Sequence, residues 1–362
     1  PEREVSIERA MASPPPPRVC VTGAGGFIAS WLVKLLLSRG YAVHATVRDT
    51  GDPKNAFLTQ LDGASPENLR LFKADVLDIA SLAAAFAGCE GVFHPASPVP
   101  EEEFVDPEFY GTFASQRDVI TQREMMAPTV DGMRNVLQAC SAANVKKLVV
   151  VSSAAAVCFY PAWPDDKIKD ETCWSDKELC EQLEQWYCLA KTQAEEMALE
   201  YGPRNGLHVV TILPGAVVGP LLQTVRISLT MRVLRYIIKG GPDTMNNKFW
   251  PVVHVADVAD ALLLVYEKAE SSGRYICALE QMDIKDMVNL LKSRYPDYDY
   301  VDKMVDVDYK IAMSSDKLRS LGWKPRSVEE TLVDGLEYLE KAGLLKEEPS
   351  RLPYFYRVTA DE

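Results

Sequence analysis

Tyr187 and Lys191 stand four residues apart in Trp186-Tyr-Cys-Leu-Ala-Lys191, within a stretch from Glu184 to Tyr201 that reads as one helix. That spacing projects both side chains from one face. A lysine ammonium beside a phenol can lower the phenol pKa from its ordinary value of about 10 and suit it to general acid work. Such pairs also arise by chance, so this one gains its weight from its company. Ser152-Ser153 follow Lys147-Leu-Val-Val-Val151, a run that reads as a buried parallel strand, and strand carboxyl ends are where doubly wound sheets assemble their sites. Ser153 lies further from the strand and is the choice for holding a carbonyl oxygen, with Ser152 the structural alternative. The expected catalytic set is therefore Ser153, Tyr187 and Lys191.

A second constellation would supply the hydride. Thr22-Gly-Ala-Gly-Gly-Phe-Ile-Ala29 follows a first strand and opens a helix, which sets Gly23, Gly26 and Ala29 at GxxGxxA spacing with Gly25 between them. Glycines there let backbone N–H groups approach a pyrophosphate at a helix amino terminus. The next strand, Tyr41 to Val47, ends at Arg48, where enzymes using the unphosphorylated dinucleotide place a carboxylate. A guanidinium at that point pairs with a 2′-phosphate, and Lys54 is near enough in sequence to help, so the expected cofactor is NADP(H). Asp49 next door keeps the unphosphorylated form open. Asp75-Val76 has the place of an adenine-edge contact, and His94-Pro-Ala-Ser-Pro98 should reach the nicotinamide ribose, with His94 equally readable as a core or turn histidine.

These residues need a scaffold that brings strand ends together, and the chain has its signature. From Arg18 to about Val151, short β-branched runs alternate with longer helical patterns, which predicts an α/β fold with a doubly wound parallel sheet, a Rossmann domain over 18–212. After Thr211-Ile-Leu-Pro the pattern loosens into amphipathic helices. A smaller substrate domain is expected over 213–345, with 251–268 returning to the Rossmann domain. Ser327-Val-Glu-Glu330 reads as a capping box opening a last helix to about Leu345. Residues 1–17, with the Pro14–Pro17 run, read as a disordered leader or tag remnant, 346–362 as a tail, and 100–124 as a long loop or insertion that could be a lid.

Composition bounds the alternatives. With 39 Lys+Arg against 52 Asp+Glu the net charge is -13, which disfavours nucleic acid and anionic membrane as partners. No apolar run spans a bilayer and no secretion signal is found, so a soluble, cytoplasmic protein is expected. Eight scattered cysteines fit reduced thiols, and four histidines without HxxxH or HExxH predict no metal. On one straight helix Cys180 and Cys188 would sit too far apart to bridge; if the helix starts only near Glu184, Cys180 could fold back. The sequence does not read out an oligomeric state.

The segments Val19–Arg48, Phe93-His-Pro-Ala-Ser-Pro98, Val151-Ser-Ser153, Trp186–Lys191 and Leu213-Pro-Gly-Ala-Val-Val-Gly-Pro220 resemble those of plant cinnamoyl-CoA reductases and dihydroflavonol reductases, within the extended short-chain dehydrogenase/reductases. The resemblance runs from about residue 17 to 345 and includes the 34 positions from Ser153 to Tyr187. It implies NADPH, a phenylpropanoid carbonyl substrate (a hydroxycinnamoyl-CoA thioester or hydroxycinnamaldehyde), and a place in lignin biosynthesis. By this similarity Gly23, Gly26, Phe27, Ile28, Arg48, Lys54, Asp75, Ala96, Ser97, Tyr187, Lys191, Pro214 and Val217 contact the cofactor. The chain departs from the family in Glu184-Gln185, where cinnamoyl-CoA members carry Lys-Asn; in Thr129, where relatives often have an asparagine; and in the long 100–124 stretch. Cys158 stands where dihydroflavonol reductases often carry a substrate-reading asparagine. Ser153, Cys158, Phe159 and Tyr187 form the expected substrate set, with Trp186 and Leu189 completing an apolar slot. The anion at Glu184 favours an aldehyde over a CoA thioester, whereas Arg226, Arg232, Arg235 and Lys239 could hold CoA phosphates. Alternatives on the same fold are a cinnamyl-alcohol dehydrogenase, a phenylacetaldehyde reductase, a nucleotide-sugar epimerase or dehydratase, and a weakly active NADPH-binding module.

Overall fold

Six short runs form parallel strands, and those inside the sheet are largely apolar because helices cover both of their faces. They are β1 (Arg18–Val21), β2 (Ala42–Val47), β3 (Leu69–Lys73), β4 (Gly91–His94), β5 (Lys147–Val151) and β6 (His208–Pro214). In the computed structural model, which describes residues 16–97, 125–164, 167–223, 227–307, 311–346, 351, 352, 356 and 358, they belong to one seven-stranded sheet. The connection expected as a lid at 100–124 and most of the 1–17 leader lie outside the described residues.

Three further short strands, β7 (Ala216–Val218), β8 (Met245–Asn247) and β9 (Val252–His254), precede β10 (Gly273–Cys277), and β11 (Met304–Asp306) comes last. The main sheet runs β10-β6-β5-β4-β1-β2-β3, every pairing parallel. Strand order reverses between β1 and β4, so their carboxyl ends flank the crevice where such folds bind ligands. β7 pairs with β9 and β8 with β11 in two small parallel ladders. The chain's return to the main sheet extends past the expected 251–268 stretch to Cys277, because β10 adds to β6 in register.

Helices Phe27–Ser38 and Val255–Glu267 cover one face, with Leu32, Leu36, Val258 and Leu262 in a common core. Helices Ile79–Phe86, Gly132–Ala142 and Trp186–Asn205 cover the other through Phe86, Val136, Leu137 and Ala198. Beyond the sheet, helices Leu229–Lys239, Ile284–Arg294 and Val328–Lys341 pack around Leu234, Leu291 and Leu336. The last of these opens on the predicted capping box, Ser327 and Glu330 bonding each other's backbone N–H. Among the described residues, no helix is long and apolar enough to cross a membrane.

The helix expected from Glu184 begins instead at Trp186. Glu184 sits in the left-handed region at φ 54°, which breaks the chain after a separate helix, Lys177–Gln182. The break gives the Tyr187 helix its own direction.

Candidate active site

The glycine turn forms at the carboxyl end of β1. Gly23 has φ +61°, and a Cβ there would stand 3.0 Å from the Ala96 Cβ, so the turn from β1 and the turn from β4 approach each other only because this residue is glycine. Thr22 ties the two together: its Oγ1 lies 2.8 Å from His94 Nδ1 and accepts from the Ala96 N–H at 3.3 Å. Desolvation holds His94 down at about 3, so it is a neutral strut. Helix Phe27–Ser38 starts at Gly26 with no side chain capping its amino terminus, and Gly26 itself is exposed. Unpaired N–H groups on a glycine-lined turn fit a pyrophosphate. Phe27 and Ile28, in the first turn of that helix, are half-buried. Asn55 closes the turn's flank: a Cβ on Gly25 would meet its Oδ1 at 2.4 Å, and its Nδ2 donates to the Asp49 carbonyl at 3.0 Å.

Around the adenosine end, Arg48 is exposed just past β2. The Asp49 carboxylate turns onto its own loop, accepting from the Gly51 N–H at 3.0 Å. Lys54 pairs with Asp52 at 2.6 Å, so it reaches a phosphate only by giving up that contact. Asp75 is exposed past β3 and accepts from the Leu77 N–H, whereas Val76 packs toward Gly132 and its carbonyl accepts from Asn135 Nδ2 at 3.0 Å. Of the residues expected at the nicotinamide end, Ala96 and Ser97 follow β4, buried Pro214 ends β6 with its carbonyl accepting from Ala154 N–H, and Val217 is buried on β7.

The expected proton-transfer residues converge at the end of β5. Ser153 is half-buried, accepts from the Ala155 N–H at 3.1 Å, and its hydroxyl lies near enough to the Tyr187 phenol to lower its pKa. Ser152 serves elsewhere, donating to Glu195 Oε2 at 2.9 Å. Lys191 is buried, donates to the Val151 carbonyl at 3.2 Å, and its ammonium is 5.9 Å from the Tyr187 ring centre. Burial pulls Lys191 down to about 8 while the Glu195 carboxylate opposes the fall. Tyr187 departs from expectation: desolvation pushes its phenol up to about 12, outweighing the lowering influence of the Ser153 hydroxyl, where a lowered value was expected. The Lys191 ammonium, 5.9 Å from the ring centre, does not offset this burial, and the phenol keeps its proton.

Behind Lys191 lies a small polar cavity lined by His94, Ser97, Thr129, Ser152 and Glu195. Thr129 reaches it from Ala127–Asp131, a π-helical turn leading into helix Gly132–Ala142, and lies 3.5 Å from the Ser97 hydroxyl. On the substrate side, Cys158 is the half-buried thiol, donating to the Ala154 carbonyl at 3.1 Å and lying close enough to Tyr187 to raise its pKa. Phe159 and Trp186 pack with Leu189, Cys180 and Cys188 in one small cluster. Leu189 is only 4% exposed, so it belongs to that core and not to an apolar slot. Cys180 and Cys188 share the cluster as free thiols on the two helices that Glu184 separates. Among the described residues no group of His, Cys, Asp or Glu could hold a metal ion.

Sequence reasoning missed Glu195 and Arg274. Glu195 continues the four-residue spacing of Tyr187 and Lys191 by one more turn, a signal present in the pattern. Its Oε1 accepts from Arg274 Nε at 3.0 Å and from Thr211 Oγ1 at 2.5 Å, and its Oε2 accepts from Arg274 Nη2 at 3.2 Å. Arg274, on β10, also donates to the carbonyls of Glu171 and Cys173 and stacks 3.5 Å from the Trp174 ring centre. It therefore clamps the chain around Cys158 to the helix of Tyr187. A separation of 79 residues hid that pair from sequence.

The NAD dependent epimerase/dehydratase family matches residues 19–278. Cinnamoyl-CoA reductase 1 of Petunia hybrida is 42% identical over 91% of this chain and 96% of its own length. Tetraketide alpha-pyrone reductase 1 of Arabidopsis thaliana is 38% identical over 91% of this chain and 97% of its own. The solved vestitone reductase from alfalfa, 31% identical, superposes with a TM-score of 0.73 over 90% of this chain and 99% of that one. With a parallel sheet in this order, a glycine turn, and relatives named as reductases along nearly its whole length, the chain belongs to the NAD dependent epimerase/dehydratase family as an oxidoreductase of the extended short-chain dehydrogenase/reductase type.

Proposed function

We propose that the protein is an NADPH-dependent reductase of an aromatic, phenylpropanoid-type carbonyl, favouring the aldehyde over the CoA thioester. The observation that carries this reading is the meeting of Ser153, Tyr187 and Lys191 at the carboxyl end of β5. A bound nicotinamide would supply the hydride. Ser153 holds the carbonyl oxygen, Tyr187 passes its proton to that oxygen, and Lys191 keeps positive charge beside the phenol as it ionises. Backbone N–H groups of Gly25 and Phe27 would hold the pyrophosphate, the Gly26 N–H being given to the Gly23 carbonyl inside the turn. Arg48 supports the 2′-phosphorylated cofactor, since the Asp49 carboxylate is engaged with Gly51 and is not offered to a ribose hydroxyl.

The names of the relatives support a carbonyl substrate on an oxygenated aromatic or polyketide framework. Glu184, exposed at the head of the Tyr187 helix, supports the aldehyde, as does the state of the basic run. Arg235 is buried, Arg232 half-buried, and both already interact with other groups; Arg226 lies outside the described residues. A CoA arm carries phosphates that ask for displayed cations. The test is oxidation of NADPH with coniferaldehyde and feruloyl-CoA as paired substrates. The aldehyde should show the higher kcat/KM. A thioester preference that collapses when Arg232 and Arg235 are replaced overturns the substrate choice. Sugar-nucleotide turnover with no net cofactor oxidation overturns the reductase reading in favour of an epimerase.

A further inference from the structure

Tyr356 belongs to the stretch 346–362 that the sequence pattern leaves outside both domains, yet two anchors bracket it. On one side Asp243 grips the chain, accepting from Arg351 Nε and from the Leu352 N–H at 2.7 Å each, and Leu352 is fully buried. Asp243 is itself seated, its N–H donating to the Tyr236 hydroxyl at 2.7 Å. On the other side the Val358 N–H donates to the Thr244 carbonyl at 2.9 Å. The anchors set the Tyr356 ring edge-on to Trp250, 6.3 Å between centres at 83°. The Lys248 ammonium lies over the ring face at 4.6 Å. Trp250 is 2% exposed, and its indole nitrogen has no hydrogen-bond partner among the described residues.

This group lies near the candidate active site. Tyr356 lies near enough to both Cys158 and Tyr187 for their charges to couple, and Lys248 near enough to Cys158. A tryptophan-backed phenol with an ammonium on its face, set beside a half-buried thiol and a proton donor, is the composition of a wall that receives a flat aromatic group.

We infer that Tyr356, backed by Trp250 and Lys248, is a substrate-contacting residue that walls the carbonyl pocket opposite Cys158 and Tyr187 and selects aromatic over small aliphatic carbonyls. This deepens the proposed reductase activity and rests on that reading for its substrate. Tyr356→Ala, Tyr356→Phe and Asp243→Asn, made in the full chain, test it with two readouts. In Tyr356→Ala, kcat/KM for coniferaldehyde falls about ten-fold or more, that for propanal stays nearly unchanged, and NADPH affinity is retained. Tyr356→Phe keeps the aromatic rate because the ring remains.

The second readout needs no turnover. Of the eight thiols only Cys158 is not fully buried, so its labelling by a maleimide, mapped by mass spectrometry, reports the pocket's opening. Labelling accelerates in Tyr356→Ala and in Asp243→Asn, which loosens the Arg351 anchor. Wild-type aromatic kinetics with unchanged labelling in Tyr356→Ala overturns the inference, as does an equal loss for coniferaldehyde and propanal. Faster labelling in Tyr356→Ala, for a protein whose wild type reduces no aromatic carbonyl, supports Tyr356 as the pocket wall and sinks the reductase reading instead.

Discussion

A phenol pushed up to about 12 keeps its proton throughout the physiological range, which suits a group that must give a proton to a carbonyl oxygen. Tyr187→Phe should therefore lower turnover by roughly 100- to 10,000-fold while NADPH still binds, since that is the contribution of a positioned acid. Retained wild-type rate in the variant removes Tyr187 from the mechanism. Lys191 sets the alkaline limit. Burial holds it at about 8, so its charge is present below that pH and lost above it. The kcat/KM profile for reduction should fall as pH rises through about 8, and a profile flat from 7 to 10 contradicts this. Arg48 allows a cleaner test. Arg48→Ala should lose NADPH affinity by about 1.5–3 kcal/mol, the worth of a charge-assisted contact, with NADH affinity barely changed. Equal losses for both cofactors show that Arg48 does not read the phosphate. The shared face of Tyr187 and Lys191, the proposed proton-transfer residues, was legible because a helix converts a four-residue spacing into a common side. The direction of the phenol's shift was not, because desolvation is set by what packs around a group and leaves no trace in its spacing.

The elements were readable wherever a local rule decided them. β5 announced itself as an unbroken apolar run, and Ser327 and Glu330 marked the start of their helix by chemistry confined to one turn. The helix of Tyr187 was misread at its beginning, since no residue type between Gln182 and Trp186 enforces a break; the packing of Cys180 against Cys188 and Phe159 does. β10 was hidden for a related reason, as it pairs with β6 across a long stretch of chain and its Arg274 meets Glu195 only in the folded interior. That buried pair gives an element-scale prediction. Arg274→Met leaves an uncompensated carboxylate under the Tyr187 helix and should cost about 3–5 kcal/mol in denaturant unfolding. Adding Glu195→Gln should recover part of the loss, because the charge that needed a partner is gone. A double variant less stable than Arg274→Met alone would show that the pair acts through the Glu171 and Cys173 carbonyls and not through charge.

Over the whole molecule, the titratable interior confines stability to a window of pH. All eight thiols are raised by burial, so the folded chain keeps protons that unfolded thiols release above about 8.5. Their contribution is complete below that pH and is lost as pH rises toward the folded values. Four lysines, Lys147, Lys191, Lys248 and Lys317, are lowered by burial and run the opposite way, but they are half as many. Buried tyrosines such as Tyr236 and Tyr266, both raised to about 12, add to the loss above about pH 10. On the acid side His44, His94 and His254 are lowered by desolvation, so their contribution is present above about 6.5 and fades as pH falls. None of this was visible in a net charge of -13, which counts buried and exposed charges alike. The melting temperature under reducing conditions should therefore peak between about pH 6.5 and 8.5 and decline on both sides. Replacing Cys20 and Cys277, both fully buried, by alanine should lower it at neutral pH through lost packing. The same double variant should flatten the alkaline limb by two protons, about 2.7 kcal/mol per pH unit. A wild-type melting temperature that climbs from pH 8.5 to 10 would mean that the lysines outweigh the thiols, and an alkaline limb unchanged in the variant would remove the cysteines as its cause.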